Sequence, residues 1–258
     1  MTNKQYKGYL IDLDGTIYKG KAKIPAAKKF IEKLQAKQIP FLFVTNNSTR
    51  SPEKIVENLA QNFDIHVSLD NIYSSAIATA DYLADLNKDK RQVYVIGELG
   101  LKQELLNHGF IFNETNPDYV VVGLDYDFTY HKMELATLAV RKGAQLIGTN
   151  PDSNLPSERG MIPSAGALVA GIEYATQQKA TYIGKPESII MEKALEKMGL
   201  NKADVIMVGD NYQTDIMAGI NFGIDTLIVY TGLSTPDDVA KVAIKPTYQL
   251  KSLDEWHV

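Results

Sequence analysis

Two aspartates stand two residues apart in Asp12-Leu13-Asp14-Gly15-Thr16, directly after the apolar run Tyr9-Leu10-Ile11. Alternate residues of an extended strand leave it on one side, so both carboxylates can converge on one small volume. Gly15 then permits a backbone conformation closed to other residues. A second apolar run, Phe41-Leu42-Phe43-Val44, ends in Thr45-Asn46-Asn47-Ser48, hydroxyl and amide groups suited to holding anionic oxygens. Downstream, Gly184-Lys185-Pro186 puts one lysine at the close of Tyr182-Ile183. Gly209-Asp210-Asn211-Tyr212-Gln213-Thr214-Asp215 supplies two further carboxylates. Taken singly, each piece has a bland alternative: a turn for DxDGT, a helix N-terminus for TNNS, a solvated side chain for the lysine. Together they set four carboxylates, a lysine and a hydroxyl at strand ends in a fixed order. Four neighbouring acids repel one another unless a cation sits among them, and hard oxygen ligands select Mg²⁺.

Positioning such groups requires a scaffold, and the chain alternates short apolar runs with helical patterns throughout. Val93-Tyr94-Val95-Ile96, Val120-Val121-Val122, Leu146-Ile147, Val205-Ile206-Met207-Val208 and Leu227-Ile228-Val229 read as further strands. Their continuous rather than alternating hydrophobicity predicts strands covered on both faces. Between them, Phe30, Ile31 and Leu34 share one face of a helix opening at Pro25. Ser51-Pro52 opens a second, with Ile55, Val56 and Leu59 inward, and Gly199 ends a third that buries Ile189, Ile190, Ala194 and Leu195. This alternation predicts an α/β fold with a Rossmann-like parallel sheet, in which ligands bind beyond the carboxyl ends of the strands.

Composition narrows the chemistry. Among 258 residues there is no cysteine, which excludes disulfides, thiolate metal sites and cysteine nucleophiles and fits a reducing cytoplasm. No apolar run approaches ~18 residues and the N-terminus has no signal-peptide core, so neither membrane insertion nor export is expected. A net charge of −4 argues against nucleic acid as a partner. Of the nine lysines of residues 1–40, Lys28, Lys29, Lys33 and Lys37 fall where the first helix shows its solvated face, and the four histidines form no ligand spacing.

The set Asp12-x-Asp14-Gly-Thr, Thr45, Lys185 and Gly-Asp210 with Asp215 resembles the four signature motifs of the haloacid dehalogenase-like hydrolases. About 140 residues separate Thr45 from Lys185, and the resemblance implies a domain inserted there. Thr149-Asn150-Pro151-Asp152 and Ile162-Pro163-Ser164-Ala165-Gly166 resemble the NagD-like branch, which carries an α/β cap in this position. The expected organisation is a discontinuous catalytic core, 1–78 and 181–258, with an inserted cap at 79–180. By the same resemblance Asp12 is the nucleophile, forming an aspartyl-phosphate, and Asp14 is the acid–base partner. Asp14 then needs a pKa well above ~3.9, which the adjacent carboxylate and partial burial would supply. Mg²⁺ would be held by Asp12, the Asp14 main-chain carbonyl and Asp210, with Asp215 orienting a metal-bound water. Thr45, the Asn46 N–H and Lys185 would bind the phosphate oxygens, and Asn150, Asp152 and Ser164 are candidates for the substrate pocket.

The resemblance implies a phosphatase of small phosphorylated metabolites, foremost sugar or acid-sugar phosphates, with nucleoside monophosphates or pyridoxal phosphate as alternatives. A homodimer is compatible with the sequence. Val95-Ile96-Gly97-Glu98-Leu99-Gly100 offers weak support for an NAD-dependent oxidoreductase, but it is not GxGxxG. A phosphoacceptor switch would combine similar acids, Thr and Lys, yet has no use for a second acid such as Asp14. Carbon–halogen cleavage has no use for Mg²⁺, Asp14 or Asp210.

Overall fold

The computed structural model describes residues 4–258. The chain forms two compact units: Met1–Thr45, Pro52–Tyr73 and Lys185–Val258 in the first, Asn46–Ser51 and Ser74–Gly184 in the second. Each is an α/β unit with its own sheet.

The first unit is built on a six-stranded sheet. Its order is Tyr248–Leu250, Asp225–Val229, Val205–Gly209, Gly8–Ile11, Phe41–Thr45, Ile72–Ser74. The pairings around Gly8–Ile11 are parallel, Leu10 lying opposite Met207 on one side and Leu42 on the other. All four residues of Gly8–Ile11 and all five of Phe41–Thr45 and Val205–Gly209 are buried, as their unbroken hydrophobicity predicted. Helix Pro25–Ala36 starts with proline at its first turn, where the missing N–H costs nothing. Its Phe30, Ile31 and Leu34 join a core with Tyr9, Ile11, Phe43, Ile206 and Leu227. Each fully buried large side chain of this kind stabilises the fold by roughly 1.5–3 kcal/mol. Helix Pro52–Phe63 buries Ile55 and Leu59 in the same core, and Ser188–Met198 ends at Gly199 with φ +64°.

The second unit carries a five-stranded sheet in the order Thr181–Tyr182, Gln145–Gly148, Tyr119–Val122, Gln92–Ile96, Ile111–Phe112, with every pairing parallel. Tyr94, Ile96, Val120, Val122 and Leu146 pack with Ala136 and Val140 of helix Tyr130–Arg141 and with Val169 and Ile172 of Ala165–Thr176. An antiparallel hairpin, Asn154–Ser157 with Gly160–Pro163, precedes that last helix.

Two strands of the first sheet escaped the sequence reading. Ile72–Ser74 and Tyr248–Leu250 are three residues each, too short for either period to register. Thr181–Tyr182 was grouped with the strands bearing the acids, but it pairs with Gln145–Gly148 in the second sheet. Among the described residues no helix is long and apolar enough to cross a membrane.

Candidate active site

Asp12 follows the strand Gly8–Ile11 and continues its ladder, its N–H donating to the Val208 carbonyl at 2.9 Å. On the neighbouring strand the chain leaves Val205–Gly209 at Asp210, and one turn of π-helix, Tyr212–Ile216, then brings Asp215 back. Such turns widen a helix locally and recur at functional sites. Here the turn lets the Asp215 carboxylate accept from the Asn211 N–H at 3.0 Å. Asp12, Asp210 and Asp215 each offer a carboxylate oxygen within 4.8 Å of the others, and all three are buried.

Lys185 enters this cluster from the loop ahead of helix Ser188–Met198, not from a strand of the first sheet, its four-carbon stem making up the distance. Its ammonium donates to Asp12 Oδ1 at 2.6 Å, Asp215 Oδ1 at 2.7 Å and the Val44 carbonyl at 2.8 Å. Only 1% of the residue is exposed, so the bland reading as a solvated lysine fails. Burial alone would depress its pKa, yet Asp12 and Asp215 hold it above the ordinary lysine value.

One ammonium does not balance three carboxylates. Burial pushes the Asp12 carboxyl well above the usual carboxylate range and the Asp215 charge adds to this, while Lys185 pulls the other way. Asp210 is pushed up to about 7, first by burial and then by Asp215. Opposing this, the Leu233 N–H donates to Asp210 Oδ2 at 2.7 Å and the Thr16 hydroxyl to Oδ1 at 3.2 Å. A hard divalent cation would supply the missing positive charge, and the oxygen-only donor set matches its chemistry. The cluster fits a metal site.

Gly15 makes room for it. Its φ is +96°, and a Cβ there would strike the Asp210 carboxylate. This is the position where the sequence suggested an unusual backbone, and the close approach supplies a second reason for glycine. Asp14 stands apart from the trio and is exposed, whereas partial burial was expected. The chain turns outward at Gly15 into the hairpin Tyr18–Lys19 with Ala22–Lys23, which carries the Asp14 side chain towards solvent. There its Oδ1 accepts from the Gly20 N–H at 3.2 Å.

Thr45 is buried at the end of Phe41–Thr45, and the segment after it packs with the second unit. Within that unit the Asn46 carbonyl accepts from the Ser75 hydroxyl at 2.7 Å and from Asn150 Nδ2 at 2.9 Å. Asn46 Nδ2 donates to Asp152 Oδ2 at 2.9 Å, and Asn150 Oδ1 accepts from the Asp152 N–H at 3.1 Å. That last contact makes Asn150-Pro151-Asp152 a side-chain-stabilised turn. Asn46, Asn150 and Asp152 are thus brought together. Ser164 is buried at the start of helix Ala165–Thr176, its N–H bonded to the Ser153 carbonyl, outside this group.

Sequence reasoning passed over Thr16, the Val44 carbonyl, Leu233 and Ser75. Leu233 lies beyond the carboxyl end of Asp225–Val229, so the rule that exposed Asp12 and Asp210 applies to it equally. A backbone N–H or carbonyl has no residue-type signal, and Ser75 acts on a loop distant in sequence.

Comparison with known proteins agrees with this geometry. Residues 9–111 match the family described as haloacid dehalogenase-like hydrolase, and residues 182–256 the one described as HAD-hydrolase-like. An acid sugar phosphatase of Staphylococcus aureus is 49% identical over 253 residues, covering 98% of this chain and 97% of that protein. The 5′-nucleotidase YutF of Bacillus subtilis is 46% identical over 253 residues, covering 98% of each. The structure of NagD from E. coli K-12 superposes with a TM-score of 0.93 at 33% identity, covering 98% of this chain and 99% of that one. The chain belongs to the haloacid dehalogenase-like hydrolases, in the NagD-like branch, and is a phosphatase of small phosphate substrates.

Proposed function

We propose that this phosphatase hydrolyses small sugar or acid-sugar phosphates with Mg²⁺, through an aspartyl-phosphate on Asp12. The observation that carries the reading is the buried ammonium of Lys185, shared between Asp12 and Asp215 at 2.6 and 2.7 Å. A lysine so placed orients one carboxylate oxygen and counters the charge that builds when a phosphoryl group meets an aspartate.

Asp12, the Asp14 main-chain carbonyl and Asp210 would hold Mg²⁺, with Asp215 fixed beside them by Lys185 and the Asn211 N–H. When bound, the ion neutralises charge on the phosphoryl oxygens and keeps the buried carboxylates ionised. An Asp12 oxygen attacks phosphorus, and the bond from phosphorus to the ester oxygen breaks. Asp14 gives its proton to that departing alkoxide. Water then attacks the phosphoryl group, Asp14 takes back a proton, and inorganic phosphate leaves with Asp12 restored. The exposure of Asp14 leaves it free to exchange its proton with solvent between turnovers. Thr45, the Asn46 N–H and Lys185 bind the non-bridging oxygens.

The substrate class is supported by the name of the Staphylococcus aureus relative at 49% identity. Nucleoside monophosphates are the second reading, supported by the Bacillus subtilis relative at 46%. A cytoplasmic location accords with either, because small phosphorylated metabolites do not cross membranes unaided. A screen over phosphorylated metabolites separates the two: the first reading fails if nucleotides exceed every sugar and acid-sugar phosphate in kcat/KM. The chemistry is tested by two variants at saturating Mg²⁺. Asp12→Asn should form no phospho-enzyme. Asp14→Asn should lose alkyl phosphates while retaining p-nitrophenyl phosphate in part, since that leaving group needs no proton. Equal loss of both substrates in folded Asp14→Asn would remove Asp14 from the acid–base role.

A further inference from the structure

Asn46 is held at three points by residues far from it in sequence. Its carbonyl takes two donors, the Ser75 hydroxyl at 2.7 Å and Asn150 Nδ2 at 2.9 Å. Its side-chain amide is tied to Asp152 Oδ2 at 2.9 Å. Asn150 and Asp152 are themselves coupled, Asn150 Oδ1 accepting the Asp152 N–H at 3.1 Å. Asn150 is only 3% exposed, so its donor is spent on the Asn46 carbonyl and not on solvent. The site is also tight. A Cβ on Gly184 would meet Asn46 Oδ1 at 2.6 Å and the Thr149 carbonyl at 2.7 Å, so Asn46 lies close against a position that only glycine leaves open. Fixing the carbonyl and the side chain of one residue together fixes its φ and ψ, and hence the direction of its N–H.

The geometry points to Asn150 and Asp152 as positioning residues that fix the direction of the Asn46 N–H, the group read above as a donor to the phosphoryl oxygens. They do so through Asn46 and not by touching the substrate. This rests on the phosphate-binding reading of Thr45 and Asn46 given above. It also makes a physical demand. A displaced N–H loses its aim at every phosphoryl group alike, whatever the leaving group, and a misplacement of about 1 Å costs up to roughly 100-fold in rate.

The test is inhibition by inorganic phosphate, which has no leaving group, read beside kcat/KM for p-nitrophenyl phosphate and a sugar phosphate. Asp152→Ala and Asn150→Ala should each raise the phosphate Ki by about tenfold, the worth of one well-placed hydrogen bond. Both substrates should fall by the same factor. Asp152→Asn keeps an acceptor oxygen for Asn46 Nδ2 and should stay close to wild type. Asn150→Asp sets an acceptor against the Asn46 carbonyl and should be worse than Asn150→Ala. In the double variant with Asn46→Ala, Asp152→Ala should add nothing. A merely structural role would lower the melting temperature and leave the Ki of the folded enzyme unmoved, and that result overturns the inference. So does an additive Asp152→Ala effect, or a loss confined to the sugar phosphate, either of which would make Asp152 a substrate contact. Thr45→Ala separates the two levels. If it also leaves the phosphate Ki unchanged, the phosphate-binding reading itself fails. If it raises the Ki while the Asn150 and Asp152 variants do not, only the positioning role fails.

Discussion

Asp210→Asn offers a direct measure of how strongly the acid cluster strains the metal-free fold. Asp210 is fully buried, and its pKa is raised from 3.8 to about 7. Between those values the folded protein keeps a proton that the unfolded chain has released. The unfolded state therefore binds fewer protons, and stability falls as pH rises through this window. At about 1.36 kcal/mol per pH decade, a displacement of roughly three decades gives a ceiling of about 4 kcal/mol, fully lost above pH 7. Asparagine suits the test because it can satisfy the same partners. Its carbonyl accepts the Leu233 N–H that Oδ2 takes now, and its amide can donate to Thr16, whose hydroxyl both donates and accepts. The assay is urea unfolding of wild type and Asp210→Asn in chelator, at steps from pH 4 to pH 8. The two proteins should be nearly equal at pH 4, and the variant should become the more stable by up to about 4 kcal/mol at neutrality. Added Mg²⁺ should then stabilise wild type at pH 7 far more than the variant. Parallel curves across the whole range would refute the reasoning, because the buried carboxylate would then carry no cost for a cation to relieve.

Three further outcomes are expected. Lys185→Ala should lower turnover by at least roughly 10²-fold, as loss of a preorganised charge donor does; near wild-type kcat in the folded variant would return Lys185 to a structural role. Gly15→Ala should lower the melting temperature and raise the Mg²⁺ needed for half-maximal activity, since φ is +96° and the new Cβ strikes Asp210; an unchanged Mg²⁺ requirement would disprove the coupling. Exchanging residues 79–180 for the matching segment of a relative should alter the substrate ranking and keep Mg²⁺ dependence, because the four motifs lie outside it; an unaltered ranking would place specificity in the first unit.

Much of the chemistry was legible in one dimension. Asp12, Thr45 and Asp210 stand at or just past the ends of long buried strands, where a run of apolar residues stops at a polar one. A parallel sheet gathers its carboxyl ends along one edge, so such stops in separate strands announce a shared site. Gly15 was marked by its type alone, since glycine beside an acid signals a backbone turn. Helices with one apolar face were equally plain, because Phe30, Ile31 and Leu34 recur at the helical period.

What tertiary structure alone decided is burial and partnership. Nothing in Gly184-Lys185-Pro186 distinguishes a solvated lysine from one spanning Asp12 and Asp215, because the contact joins residues 173 and 30 positions away. Asp215 looked peripheral until a single π-turn folded it beside Asp210, a change of register that no hydrophobic period records. Asp14 carries the same carboxylate as Asp12 two residues earlier, yet one is buried and the other exposed. The turn at Gly15 separates them. Asn150 and Asp152 were candidates for the substrate pocket, and the fold places them in a turn whose spare hydrogen bonds close on Asn46. Residue type sets which bonds a side chain can make. Which partner it meets, and in how much water, is a property of the packed chain.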